Sequence, residues 1–488
     1  MKYYICSMGR HRNKRLFKKG QHIELNIIDL AFGGKGIAKI PTDDGDFVCF
    51  VDNTLPGQKV LASVKRCKKK HAECRLLEVI EKSENEIDIP YQRIPGAPYA
   101  QLPIELQESN KKNTCFELFR RIGNINNIED YFDEFISSPS VWHYRNKMEY
   151  SFSAIRYDFN LKKDVDDFAF GFKHRGTWWM VENLEKDSGL FDAQLENAFP
   201  ILKSFFKESN LAPWHPPKKQ GFYRFLVARK SYTNDQLLLN LVTTSSELSR
   251  FNLPAFIELL KEILGHRFSG LLHTINDSIG DRIQASDGSC KLVYGKDKIV
   301  ENILGLEFEI SMQSFFQTNP KCAEKLYQKV VDYVLDTKEN QKVIMDLFCG
   351  TGTIGQILSN KIPDAEVIGV DIVPQAIDDA IKNAKINSVT DLKFFAADVG
   401  KFLQEYPQYK DNISTVVLDP PRAGIAPKTL KKVVQLNAHR IVYVSCNPAT
   451  QARDTEYLLK EGYQLKKLSF TDQFPHTSHV ESIALFEK

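Results

Sequence analysis

The sequence predicts a multidomain protein: a small N-terminal β-barrel, an α+β middle domain and a C-terminal doubly wound α/β domain. Three observations carry this. Residues 21–82 break into short apolar runs separated by Gly-, Asp- and Pro-marked turns. Beyond residue 321, buried strand-like runs alternate with amphipathic helical stretches. The chain has 488 residues, 42% hydrophobic and 26% charged, more than one core ordinarily supports. No apolar run approaches the roughly eighteen residues a membrane-spanning helix needs. The start MKYYICSMGRHRNKR has too short an apolar stretch before its basic run for an export signal, so the cytoplasm is the expected location. The cysteines (Cys6, Cys49, Cys67, Cys74, Cys115, Cys290, Cys322, Cys349 and Cys446) form an odd set without framework spacing and read as reduced thiols.

Taken in order, the runs HIELNIIDL, GIAKI, DFVCFV, KVLASV and ECRLLEVI, broken by FGGKG, TDDGD and NTLPGQ, predict a five-stranded barrel within residues 1–82. This region holds 17 Lys and Arg against 9 Asp and Glu, while the whole chain carries only +3. The excess sits in Arg10, Arg12, Lys14, Arg15, Lys18 and Lys19, then in Lys65, Arg66, Lys68, Lys69, Lys70 and Arg75. Such a surface attracts phosphate backbones; the plainer reading is a solubilising face. A helix is predicted over 102–122, inside a region 83–304 whose runs MEYSFSAI, DFAFGF and LLLNLV indicate an α+β domain. Residues 305–488 supply VIMDLF, EVIGVDI, LKFFAAD, STVVLD and RIVYVSC with helices between, a mainly parallel, Rossmann-like sheet that binds ligands outside the carboxyl ends of its strands.

The first of these strands runs into Asp346-Leu347-Phe348-Cys349-Gly350-Thr351-Gly352-Thr353-Ile354-Gly355. Gly350 and Gly352 let the backbone turn tightly against a ligand. The stretch contains G-x-G-x-x-G, so a dinucleotide site is a rival, but Asp346 before the glycines would repel phosphates and suits S-adenosylmethionine better. Asp371 ends the second strand, where an acid binds ribose hydroxyls, and Asp398 ends the third, near the expected adenine. The alternative for Asp398 is an ordinary loop carboxylate.

Asp419-Pro420-Pro421-Arg422 ends the fourth strand and Ser445-Cys446-Asn447-Pro448 the fifth, facing one pocket. Most of the cysteines read as buried fillers. Cys446 differs, lying at a strand end beside a Pro-marked turn, with a thiol pKa expected to be lowered by Arg422. Glu481 precedes the last strand on the same side of the sheet, so Cys446 and Glu481 suggest a nucleophile and a base. By position alone, Glu481 would be a surface carboxylate.

With these residues assembled, the chain resembles the bacterial RNA 5-methyluridine methyltransferase family. The markers are Tyr144-Arg145-Asn146-Lys147, Ser314-Phe315-Phe316-Gln317-Thr318-Asn319, DLFCGTGTIG, DPPRAG, SCNPAT and HVE. The N-terminal part resembles a TRAM domain, an OB-like RNA-binding module, through Leu30-Ala31-Phe32-Gly33-Gly34-Lys35-Gly36 and Leu55-Pro56-Gly57. The resemblance implies Cys446 as nucleophile, Glu481 as base, Gln317, Asp371 and Asp419 as contacts in the cofactor and substrate pocket, with Asn319 and Asp398 added to them. The expected activity is methylation of C5 of a uridine in RNA by a monomer using S-adenosylmethionine. The barrel favours 23S rRNA over tRNA. Independent chemistry agrees, because C5 of uracil is a poor nucleophile until a thiolate adds at C6. The base must be flipped from any stack, and Phe315, Phe316 and the Arg422 plane are candidates to hold it; core packing is the alternative for the two phenylalanines.

Many members of this family hold an iron–sulfur cluster on three cysteines before the first long helix and one in the middle domain. The corresponding stretches here, Ile89–Pro98 and Val181–Leu190, contain no cysteine, so a cluster-free enzyme with no metal site is expected. An RNA cytosine-C5 methyltransferase would usually place a cysteine after the fourth-strand prolines, where this chain has Arg422. A base-amine methylase would leave Cys446 idle. A non-catalytic RNA-binding or ribosome-assembly factor would have no use for Cys446 and Glu481.

Overall fold

The computed structural model describes residues 16–488 except 44, 284–288, 338–340 and 410–411. Cys6, Arg10, Arg12, Lys14 and Arg15 lie outside the described residues. The chain divides into two compact units, Met1–Asp88 with Pro98–Asn110, and Ile89–Ala97 with Lys111–Lys488.

The first unit carries a six-stranded sheet in the order His22–Asn26, Lys59–Cys67, His71–Glu81, Phe47–Asp52, Gly36–Ile40 and Asp29–Leu30. Five strands were expected, and the sixth arises because the first run splits. Ile27 N–H donates to Gln58 O at 2.9 Å, whereas the next residue, Ile28, donates to Ile37 O at 2.8 Å. One run therefore pairs with both edges and closes the sheet, which removes exposed edge groups. Inward positions alternate along the strands, with Cys49, Val51, Val60, Ala62 and Ala72 fully buried. The side chains of Lys18, Lys19, Lys65, Arg66, Lys68, Lys69, Lys70 and Arg75 are exposed.

The predicted helix is observed as Ile104–Arg121. Lys111, Cys115 and Phe119, spaced by four, form its buried row. Lys111 Nζ donates to Asp472 Oδ1 at 2.6 Å and to Phe474 O at 3.1 Å. This buried pair ties the helix to the sheet described next.

The second unit contains two large sheets. One has seven strands, ordered Val181–Asn183, Lys163–Lys173, Lys147–Asp158, Tyr223–Lys230, Leu237–Thr243, Phe268–Ile275 and Cys290–Gly295. The other has eight: Leu392–Ala396, Glu366–Asp371, Val343–Leu347, Ile413–Leu418, Arg440–Ser445, Glu481–Glu487, Gln464–Thr471 and Phe132–Ile136. Its first five strands are parallel, and the last strand of the chain inserts antiparallel to Arg440–Ser445. Phe132–Ile136, from the stretch read as part of the middle domain, pairs parallel to Gln464–Thr471 at the sheet edge. The boundary expected at 304/305 falls on the two-residue turn of a hairpin between Lys298–Ile303 and Leu306–Ser311, where Leu304 and Gly305 have φ of +50° and +85°. That hairpin, Phe225, Val227 and Leu238 of the seven-stranded sheet, and Ile344, Val442 and Ile483 of the other share one continuous core. Among the described residues, no helix is long and apolar enough to cross a membrane.

Candidate active site

Sequence order reverses between Val343–Leu347 and Ile413–Leu418, so the crevice of the eight-stranded sheet opens there. Val343–Leu347 is fully buried, and the chain leaves it through a forced turn with Phe348 at φ +65°, Gly350 at +55° and Gly352 at +72°. A Cβ on Gly352 would lie 2.4 Å from the Phe394 ring, whereas none at Gly350 would meet an atom within 4 Å. Gly352 is thus required by packing, and Gly350 fronts open space. Asp371 fixes this loop by accepting from Gly350 N–H at 2.9 Å and, through its other oxygen, from Val373 N–H at 2.9 Å. Asp346 Oδ2 accepts from Gly355 N–H at 2.8 Å. Its Oδ1 is buried with no hydrogen-bond partner among the described residues. Asp398 caps the helix Val399–Glu405 by accepting from Lys401 N–H at 3.1 Å.

The two proline-marked loops are tied together. Asn447 Nδ2 donates to Arg422 O at 3.0 Å, and Asp454 Oδ2 accepts from Ile425 N–H at 3.1 Å and from the Tyr443 hydroxyl at 2.8 Å. Ser445 pairs with Ser482 in the antiparallel ladder, which sets Cys446 at the end of one strand opposite Glu481 at the start of its neighbour. Glu481 is only 3% exposed and Cys446 is half-buried.

Burial raises the acids of this crevice. Asp346 is pushed up to about 8, first by burial and then by Asp419; Asp419 rises to about 7 by burial; Glu481 rises to about 8 by burial and by Asp419, opposed by Arg422. The expected lowering of the Cys446 thiol by Arg422 does not occur. Burial, Glu481 and Asp419 together outweigh Arg422 and push Cys446 up to about 11. Burial, with Arg422, Lys111, Arg145 and Arg175 adding, holds His479 down at about 4, so its imidazole is neutral. Arg422 Nη2 lies 3.4 Å from His479 Nδ1.

Phe315 is 70% exposed, whereas Phe316 is core, its ring 6.1 Å from that of Phe308. Phe316 has no free face for a base. Asn319 caps the helix Pro320–Leu335, accepting from Cys322 N–H at 3.2 Å, and its amide donates to Gln473 O at 3.2 Å. Gln317 is buried, with its carbonyl accepting from Asn146 Nδ2 at 3.1 Å. The YRNK and SFFQTN motifs are therefore one hydrogen-bonded unit. Tyr327 was not anticipated: its phenol is raised by burial and then by Asp419, Glu481 and Asp346, and it bonds Gln317. Its position on an amphipathic helix looks like any core site.

The two cysteine-free stretches meet. Gln92 donates from its backbone to Asp187 O at 2.8 Å and from Nε2 to Asn183 O at 2.7 Å, and accepts from Glu185 N–H at 2.8 Å. Tyr91 packs on Trp142 at 4.6 Å, and Trp142 stacks on His476 at 3.7 Å. Among the described residues, no group of three or more His, Cys, Asp or Glu is placed to hold a metal ion.

A sulfonium ligand fits this crevice. It offers open space before Gly350, an unpaired buried oxygen on Asp346, and several acids raised by burial whose anionic forms a cation would favour. Comparison with known proteins agrees. A family model described as tRNA (uracil-5-)-methyltransferase matches residues 286–488, and a TRAM domain matches 16–77. The chain is 36% identical to an uncharacterized RNA methyltransferase of Clostridium tetani, over 96% of this chain and 97% of that protein. It is also 36% identical to one of Caldanaerobacter subterraneus, over 96% and 99%. The crystal structure of Pyrococcus abyssi tRNA (uracil-54, C5)-methyltransferase in complex with S-adenosyl-L-homocysteine superposes with a TM-score of 0.71 at 26% identity, covering 95% of this chain and all of that one. A crevice suited to a cationic methyl donor and relatives matched from end to end lead to one conclusion: the chain belongs to the RNA uracil-5 methyltransferase family and is an S-adenosylmethionine-dependent RNA methyltransferase.

Proposed function

We propose that the enzyme methylates C5 of one uridine in 23S rRNA through a transient bond between Cys446 Sγ and C6 of the base. The observation that carries this reading is the ladder register that sets Cys446 opposite Glu481. S-adenosylmethionine, when bound, supplies an electrophilic methyl group. Gly350, Gly352, Asp346, Asp371 and Gln317 would hold it, while Asp398 and Asn319 shape the pocket by capping helices.

Cys446 loses its thiol proton to water through its half-open side, and the sulfur adds to C6. The C5–C6 π pair moves onto C5 and the O4 carbonyl, making C5 nucleophilic. Once C5 carries both methyl and hydrogen, the Glu481 carboxylate takes that hydrogen as a proton. The C5–H electrons re-form the double bond, and the C6–S pair returns to sulfur. Arg422 opposes the rise in both acids, so it favours the ionised forms these steps use. Phe315, exposed beside Gln317, offers its ring to the flipped base, and the basic barrel supplies affinity for the RNA backbone. A tRNA uridine is the second reading, favoured by the similarity to the Pyrococcus enzyme.

Glu481→Gln should transfer the methyl group and then stall, so a protein–RNA adduct accumulates on a denaturing gel. Cys446→Ala should give neither adduct nor product while still binding S-adenosylhomocysteine. Wild-type turnover by Cys446→Ala would remove the covalent step. Mapping 5-methyluridine in rRNA and tRNA of a deletion strain decides the substrate.

A further inference from the structure

A second cavity, of about 470 Å³, opens in the same unit on one face of the seven-stranded sheet. Lys147, Glu149 and Ser151 line it from one strand and Phe225 and Val227 from the next, with Lys173, Arg282, Met312 and Gln313 completing the wall. Its charge is unbalanced. Lys147 pairs with Glu149 at 3.0 Å and Lys173 pairs with Asp281, which leaves Arg282 without an ion pair among the described residues. Two buried guanidinium groups stand behind the wall. Arg224 is anchored on the carbonyls of Asn276 and Ser278, at 2.7 Å each, and Arg229 donates to Ser314 O at 2.8 Å while its Nε and Nη1 have no partner among the described residues. Burial lowers Lys173 to about 8, with Glu149 opposing the shift more than Arg224 adds to it. The cavity also has an apolar side, Phe225, Val227 and Met312, with the amide of Gln313 at its exposed rim. Cations, a ring and an amide together are what a nucleotide requires.

The cavity is continuous with the reaction site along the chain. Met312 and Gln313 lead directly into Ser314–Asn319, and Arg229 clamps Ser314. Resting on the RNA reading above, we propose that this cavity holds a nucleotide of the substrate strand next to the reacting uridine. Lys173 and Arg282 take its phosphate, the base lies against Phe225 and Met312, and Gln313 reaches its edge.

The test compares the full-length wild type with a Lys173→Gln/Arg282→Gln double variant and with Gln313→Trp, which fills the mouth from an exposed position. RNA binding is measured against salt with a substrate RNA fragment, and S-adenosylhomocysteine binding by calorimetry. The double variant should bind RNA at least tenfold more weakly, with a log–log salt slope shallower by about 1.4, the amount expected for two single-strand phosphate contacts. Gln313→Trp should weaken RNA binding with the slope unchanged. Both variants should bind S-adenosylhomocysteine as the wild type does, which reports an intact fold. A double variant with wild-type affinity and slope overturns the proposal, as does a Gln313→Trp variant with wild-type affinity, since the cations would then act as an open surface. The wild type is also assayed for transfer of methyl from S-adenosylmethionine to the same RNA fragment, and a wild type that binds the fragment but methylates no uridine in it would instead overturn the functional reading.

Discussion

Replacing Lys111 by methionine isolates one buried charge. In the ion pair, the Lys111 and Asp472 side chains are 1% and 0% exposed. Methionine keeps most of the stem but leaves Asp472 Oδ1 without its 2.6 Å donor, while Oδ2 has no partner among the described residues and Phe474 O keeps only its bonds from Thr477. Breaking a buried pair from one side costs about 3–5 kcal/mol, because the remaining charge stays desolvated. At about 2–4 °C per kcal/mol for a large domain, Tm should fall by roughly 6–20 °C. The sign with pH is fixed as well. Burial raises the Asp472 carboxyl and Lys111 opposes the rise, so in Lys111→Met it climbs further above its unfolded value. The folded variant then retains a proton that the unfolded chain has released, and its deficit grows as pH rises and shrinks as pH falls. Differential scanning fluorimetry at acidic and alkaline pH reads this directly. Lys111→Met/Asp472→Leu, which removes both charges, should recover most of the loss. A single variant within about 1 kcal/mol of wild type, or a double variant as unstable as the single, would refute the reasoning.

Three further outcomes follow from the same structure. The rate of adduct breakdown after methyl transfer, followed in a single turnover, should climb between about pH 7 and pH 9, because Glu481, raised to about 8, acts as a carboxylate; a breakdown rate that is flat across that range would move the base elsewhere. Lys68→Gln/Lys69→Gln/Lys70→Gln, on the exposed end of the barrel, should make the salt slope of RNA binding shallower by about 2 without changing kcat at saturating RNA, and an unchanged slope would place the backbone contacts on another surface. Anaerobically purified protein should be colourless, and chelation should leave activity intact; stoichiometric iron with acid-labile sulfide would show the cysteine alignment to be mistaken.

How far the sequence could be read depends on the range of the forces involved. The strands ending at Asp346, Asp371, Asp419 and Cys446 are buried on both faces and stand out as apolar runs, so the sheet and the loops at its ends were legible. Phe132–Ile136, FDEFI with only Ile136 buried, has no such signature and finds its place through a partner more than three hundred residues away. The first barrel run looked like one strand because its corner at Ile27 and Ile28 carries no Gly or Pro. Charge was harder still. Arg422 belongs to the same motif set as Cys446, and from sequence a lowered thiol is the expectation, yet burial and the carboxylates of Glu481 and Asp419, brought together only by folding, outweigh it. Phe315 and Phe316 are adjacent and chemically alike; only the packed structure turns one outward and the other into the core.

The edge strand also bears on how this protein can be dissected. A fragment cut to the region matched by the family model, 286–488, would keep every strand-end motif but lose Phe132–Ile136. Gln464–Thr471 would then become the outermost strand, its backbone N–H and C=O groups unpaired beside Phe470, and the rings of Phe116 and Phe132 that pack on that phenylalanine would be gone. An open strand beside an uncovered aromatic surface recruits a second copy of itself, so such a fragment is expected to aggregate on expression although its catalytic residues are all present. A soluble catalytic piece has to begin before residue 104, so that the helix and the strand that seal this side of the sheet come with it.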